Sequence, residues 1–109
     1  MKNLASLLCL LAFLTFAHAQ GYKPPSGYVP DSATAIAIAK AVLVPVFGKK
    51  AIESEKPFRA KLQSDIWTVT GTLSCPDGKG GVTTVCFGGA AVVEISKIDG
   101  HIISMSHGK

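Results

Sequence analysis

The chain has 109 residues, 48% of them apolar, and carries 11 Lys or Arg against 7 Asp or Glu for a formal net charge of +4. That length supports one domain, and a mild basic excess scattered along the chain excludes a nucleic-acid-binding patch. The nearest approach to a cluster is Lys49 and Lys50 followed by Lys56, Arg59 and Lys61; Glu53 and Glu55 interrupt it, so it reads as a solvated face.

Residues 1–19 have the layout of a secretory signal peptide: one early lysine, an apolar run from Leu4 to Phe16, and the small-x-small triplet Ala17-His18-Ala19. The run is too short to span a bilayer, and no later segment is long and apolar enough to do so. Cleavage after Ala19 is expected, giving a periplasmic or secreted chain that begins at Gln20 and has no membrane attachment after cleavage. Cys9 leaves with the leader.

Residues 20–30, QGYKPPSGYVP, are rich in Pro, Gly and Tyr without periodicity and read as a flexible lead-in to a domain over 31–109. Asp31-Ser32 offers an N-cap for a helix from about residue 32 to about residue 47. Within it Ile36, Ala39, Leu43, Val46 and Phe47 recur near a helical period, Pro45 should kink or tighten the last turn, and Gly48 is placed to end it. No other segment makes a convincing helix.

The rest alternates like strands. In KPFRAKLQ, Phe58, Ala60 and Leu62 fall opposite Arg59 and Lys61; in IWTVTGTL, Trp67, Val69 and Gly71 fall opposite Thr68, Thr70 and Thr72. QSD makes the turn between them. Gly71, on the inward side, removes a side chain where a helix could approach the sheet. GGAAVVEIS reads as a more apolar strand, and Lys97-Ile98-Asp99-Gly100 as a hairpin turn into HIISMS. The expected fold is α+β: one N-terminal helix packed on a curved four-stranded antiparallel meander, NTF2-like or cystatin-like.

An exported chain with an even pair of cysteines after the leader, Cys75 and Cys86, points to a disulfide. Zinc sites need more ligands at shorter spacings and redox pairs read C-x-x-C, so a staple is expected; closing so short a loop contributes about 3 kcal/mol in the chain-entropy model. No metal or cofactor is expected. His101 and His107, six residues apart on a strand, would stand roughly 20 Å apart, too far to share an ion, and read as ordinary strand-end histidines.

No catalytic residues are assigned. Asp99 belongs to a turn and Glu94 to a solvent-facing strand side; Ser74, Ser104 and Ser106 lack a nucleophile context; and the GKGG run at 78–81 neither ends in Ser or Thr nor joins a strand to a helix. Trp67 reads as core. The outward residues Arg59, Lys61, Thr68, Thr70 and Glu94 are different, because folding does not demand those types; they form the candidate surface for a protein partner.

The series PDSATAIAIAKAVLVPVFGKK, EKPFRAKL, IWTVTGTL and GGAAVVEISKIDGHIISMSHGK resembles the small bacterial immunity proteins of NTF2-like fold, across nearly all of residues 30–109. The resemblance implies a cognate toxin as partner and neutralisation by binding, with no enzymatic activity. The Cys75–Cys86 loop and the leader depart from the pattern of that family. VVEISKIDGHII also resembles the strand-turn-strand of PepSY-like exported domains. WTVTG shares the V-x-G of cystatin inhibitory loops, with Trp67 where cystatins place glutamine. A protease inhibitor, or a small NTF2-like enzyme, is therefore the alternative expectation. An exposed sheet would also allow a homodimer.

Overall fold

The computed structural model describes residues 20–73, 75–76, 82–83 and 89–108. The leader and Cys86 lie outside the described residues, so cleavage and the cysteine staple are not part of this description. A four-stranded antiparallel sheet carries helix α1 (Ser32–Phe47) on one face, with a short helix α2 (Lys49–Glu53) following it.

α1 starts where Asp31, in extended conformation, accepts the Thr34 N–H on its side chain at 2.8 Å, satisfying one of the orphan donors of the first turn. It ends at Gly48, whose φ of 92° breaks the helix while its N–H still reaches the Val44 carbonyl. Pro45 is accommodated inside the helix. The buried stripe is Ala35, Ala39 and Leu43, all fully enclosed, with Ile36 and Val42 flanking it. Ala39 and Leu43 thus face inward as their spacing predicts. Val46 and Phe47 do not: Val46 is exposed, and Phe47 lies at the surface with its ring against His107 of the sheet. Two alanines on the contact line let the helix backbone sit close to the strands.

α2 was not predicted. At five residues it is too short to show a period, and it exists because Gly48 redirects the chain so that Ile52 is fully buried under α1. Lys40 of α1 lies 3.7 Å from Glu53 of α2, and Glu53 also pairs with Lys56; the Lys56 hydrogen bond holds the Glu53 carboxyl below its ordinary range.

The sheet runs in the order β1 (Arg59–Gln63), β2 (Ile66–Thr70), β5 (Ala91–Ser96), β6 (Ile102–His107), with β3 (Cys75–Pro76) and β4 (Val82–Thr83) forming a separate two-residue ladder between β2 and β5. This is the expected meander with a small ribbon inserted. Gln63 pairs with Ile66, so the intervening Ser64 and Asp65 make a two-residue hairpin turn, both with positive φ (50° and 59°), the twist that matches antiparallel strands. Gly100, at φ 78°, turns β5 into β6.

Alternation along β2 and β5 matches the expected faces. Trp67, Val69, Ala91, Val93 and Ile95 are buried against α1, while Thr68, Thr70, Val92 and Glu94 lie on the other side. Leu62 belongs to the inner face but is 42% exposed, because β1 is an edge strand and the helix does not reach its end.

The lead-in departs most from expectation. Residues 27–29 are held down: the Tyr28 and Val29 N–H groups donate to the Ile98 and Lys97 carbonyls, each at 3.0 Å, and the Trp67 indole N–H donates to the Val29 carbonyl at 2.8 Å. Val29 is buried and completes the core beside Trp67. Gly27 makes this possible; a Cβ there would stand 2.3 Å from the Lys97 carbonyl oxygen.

Candidate functional site

The outer face of the sheet gathers all five residues proposed as a partner surface. Cross-strand register sets Arg59 opposite Thr70 and Lys61 opposite Thr68, and Thr68 in turn opposite Glu94. Lys61, Thr68 and Glu94 therefore form one row across three strands, with a cation at one end, a hydroxyl in the middle and a carboxylate at the other. The row continues to Ser104 of β6, whose hydroxyl donates to Glu94 at 2.7 Å. Beside it Gln63, Ser64, Ile66, Thr68 and Glu94 line a shallow depression of about 230 Å³. Such a face offers donors, acceptors and both signs of charge, which suits recognition of a protein surface.

A second constellation, invisible in the local sequence, sits under the opposite face. Glu55, immediately after α2, is buried with its side chain only 10% exposed. One carboxylate oxygen accepts the Ala91 N–H at 2.6 Å and the other faces His107 Nε2 at 2.9 Å. The Gly71 N–H donates to the Ala91 carbonyl at 2.9 Å, so Glu55 takes the Ala91 donor at the end of the β2–β5 ladder. The expectation for Gly71 is thus refined: what approaches it closely is the Glu55 side chain, since a Cβ at Gly71 would lie 2.8 Å from that carboxylate and 3.1 Å from the Phe58 ring.

His107 is therefore not an ordinary strand-end histidine. Its Nδ1 faces the Gly108 carbonyl at 2.8 Å, an acceptor only, so that nitrogen carries a proton. Its Nε2 faces a carboxylate, which favours a second proton. The Glu55 hydrogen bond, and after it the Gly108 carbonyl, raise the His107 pKa above the ordinary histidine value. Phe47 lies against the ring at 4.9 Å between centroids, and Gly89 and Gly108 cross so closely behind it that a Cβ on Gly108 would fall 2.4 Å from the Gly89 Cα.

Because the folded-state pKa is raised, the stabilisation is complete below the unfolded histidine value near 6.5 and is lost as pH rises through the raised folded value. Thermal stability should accordingly fall on going from pH 6 to above that value. His107→Gln should flatten that slope; an unchanged slope in the variant would remove the pair from this role.

His101 is paired within its own turn. Asp99 accepts the His101 backbone N–H at 3.0 Å and contacts the ring nitrogen as well, which lowers the Asp99 carboxyl to about 2. Asp99 thus acts in the turn, as expected. Among the described residues no group of three His, Cys, Asp or Glu side chains could hold a metal ion, and no helix is long and apolar enough to cross a membrane.

The sequence model for NTF2 fold immunity proteins matches residues 34–109. The chain is also 32% identical over 81 residues to uncharacterized protein YhhH of Escherichia coli K12, a match that takes in 74% of this chain and 58% of that relative's length. No solved structure matches it significantly. A helix on a four-stranded antiparallel meander, matched by that model from the first turn of α1 to the last residue, places the chain in the NTF2 fold immunity protein family.

Proposed function

We propose that this immunity protein acts outside the cytoplasm and neutralises a cognate toxin by binding it with the outer face of the sheet, through Arg59, Lys61, Thr68, Thr70 and Glu94. Membership of the family supports a toxin as partner. The leader-like residues 1–19 support export. The observation that carries the choice of surface is the Lys61–Thr68–Glu94 row, a set of polar groups on the side of the sheet that α1 leaves uncovered.

Neutralisation in this reading is steric and needs no cofactor. The buried carboxylate favours catalysis less: both Glu55 oxygens are engaged, by Ala91 and His107, and neither residue lines the depression on the outer face.

Co-expression with the cognate toxin domain tests the proposal. Export-directed wild-type protein should restore growth. Arg59→Glu combined with Lys61→Glu should weaken toxin binding at least about tenfold, with little change in thermal stability because both side chains are exposed. Full protection by the double variant would overturn the assignment of this face, and absence of protection by the wild-type chain would overturn the function.

A further inference from the structure

The depression on the outer face is lined by acceptors. Gln63, Ser64, Thr68 and Glu94 bring an amide, two hydroxyls and a carboxylate to it, Ile66 supplies an apolar wall, and none of the five is basic. At about 230 Å³ it falls below the roughly 300–1,000 Å³ of pockets that enclose a small molecule. One long side chain would fill it.

Glu94 is the charged group among them. One of its carboxylate oxygens accepts the Ser104 hydroxyl at 2.7 Å, and the other has no hydrogen-bond partner among the described residues. No buried side-chain nitrogen or oxygen among those residues lacks a partner, so this second oxygen is open to solvent. Lys61, at the other end of the same row, stands two strand spacings away, about 10 Å, and the described residues include no ion pair between the two. A hydroxyl donor does not cancel a carboxylate's charge.

Four other carboxylates are taken up within the fold itself: Asp31 by the Thr34 N–H, Glu53 by Lys40 and Lys56, Glu55 by Ala91 and His107, and Asp99 by His101. Asp99 lines a second depression, with Lys23, Pro24, Pro25, Gly27, Tyr28 and Ile98, but there the carboxylate is already spoken for. Glu94 is not. The depression also lies at the Gln63–Ile66 hairpin end of the sheet, whereas the chain between β2 and β5 leaves after Thr70 and returns at Ala91, the opposite end of those strands.

A cation on an aliphatic stem satisfies this set of groups, because an ammonium or guanidinium carries donors only and its methylenes can lie along Ile66. We propose that the depression receives a lysine or arginine side chain of the toxin, with its charged head paired to Glu94 and donating to Thr68. This rests on the toxin-binding reading of the outer face and adds the chemistry of the partner's group that enters it.

Binding kinetics of the chain from Gln20 with the cognate toxin domain test it. Glu94→Gln keeps an acceptor for Ser104 and removes the charge, so affinity should fall more than about tenfold, mainly through faster dissociation and with a weaker dependence on salt. That loss is expected even though the variant is the more basic protein; simple attraction of a basic chain to an acidic partner would make it bind as well or better. Glu94→Asp, which keeps the charge one methylene further back, should recover part of the loss. Far-ultraviolet circular dichroism confirms folding of each variant. Binding of Glu94→Gln within about twofold of wild type, or tighter, overturns the proposal and leaves the outer face as the docking surface. A wild-type chain that does not bind the toxin, or undiminished binding by the Arg59→Glu, Lys61→Glu variant, overturns the reading of the face and this site with it.

Discussion

Glu55→Ala is expected to destabilise the domain by about 3 kcal/mol, and to do so far more than its place in a run of charged residues suggests. The substitution leaves the Ala91 N–H without an acceptor at a buried position beside Gly71, and it leaves His107 facing the core without its carboxylate. A buried donor deprived of its partner costs about 1–3 kcal/mol, and the lost charge-assisted contact adds to it. Glu55→Gln separates these contributions. Its amide oxygen can still accept from Ala91 and its amide nitrogen can donate to a neutral His107, so the expected loss is about half, with the pH dependence of unfolding abolished. Denaturant titration at pH 6 and pH 8 measures both. Equal loss in the two variants would show that the Ala91 bond carries little of the stability.

Trp67→Ala is expected to cost about 3–5 kcal/mol, a large part of the roughly 5–15 kcal/mol that holds such a domain folded. Trp67 is 7% exposed and packs in the core with Val29, while its indole N–H bonds the Val29 carbonyl, so one side chain both fills the core and anchors residues 27–29. Trp67→Phe keeps most of the volume and loses the hydrogen bond. It should cost about 1–2 kcal/mol and, in amide exchange, expose Tyr28 and Val29 selectively. Uniform loss of protection across the sheet instead would mean that the lead-in is anchored by other contacts.

These two residues show where the sequence was informative and where it was not. The faces of β1, β2 and β5 were legible because alternation with period two maps directly onto in and out, which put Trp67 and Val69 inward and Arg59, Lys61, Thr68, Thr70 and Glu94 outward. The Asp31 cap and the Gly100 turn were legible because each is a local device set by one residue's chemistry. Glu55 and His107 were not, since 52 residues separate them and neither stands in a local pattern. The available signal was Gly71: an inward glycine on a strand marks a bulky neighbour, though it does not say which. Residues 27–29 were read as flexible because hydrogen bonding to the Lys97–Ile98 turn has no periodicity to betray it. Phe47 follows the helical period of the buried stripe in the sequence, yet it lies partly exposed against His107.

The most direct test of the central claim is amide hydrogen exchange on the chain from Gln20, alone and saturated with the cognate toxin domain. The account predicts new protection concentrated on β1, β2 and β5 around Lys61, Thr68 and Glu94, lost together with binding in the Arg59→Glu, Lys61→Glu variant. Protection centred instead on Glu55 and His107, or no change anywhere on the sheet at saturating toxin, would contradict it.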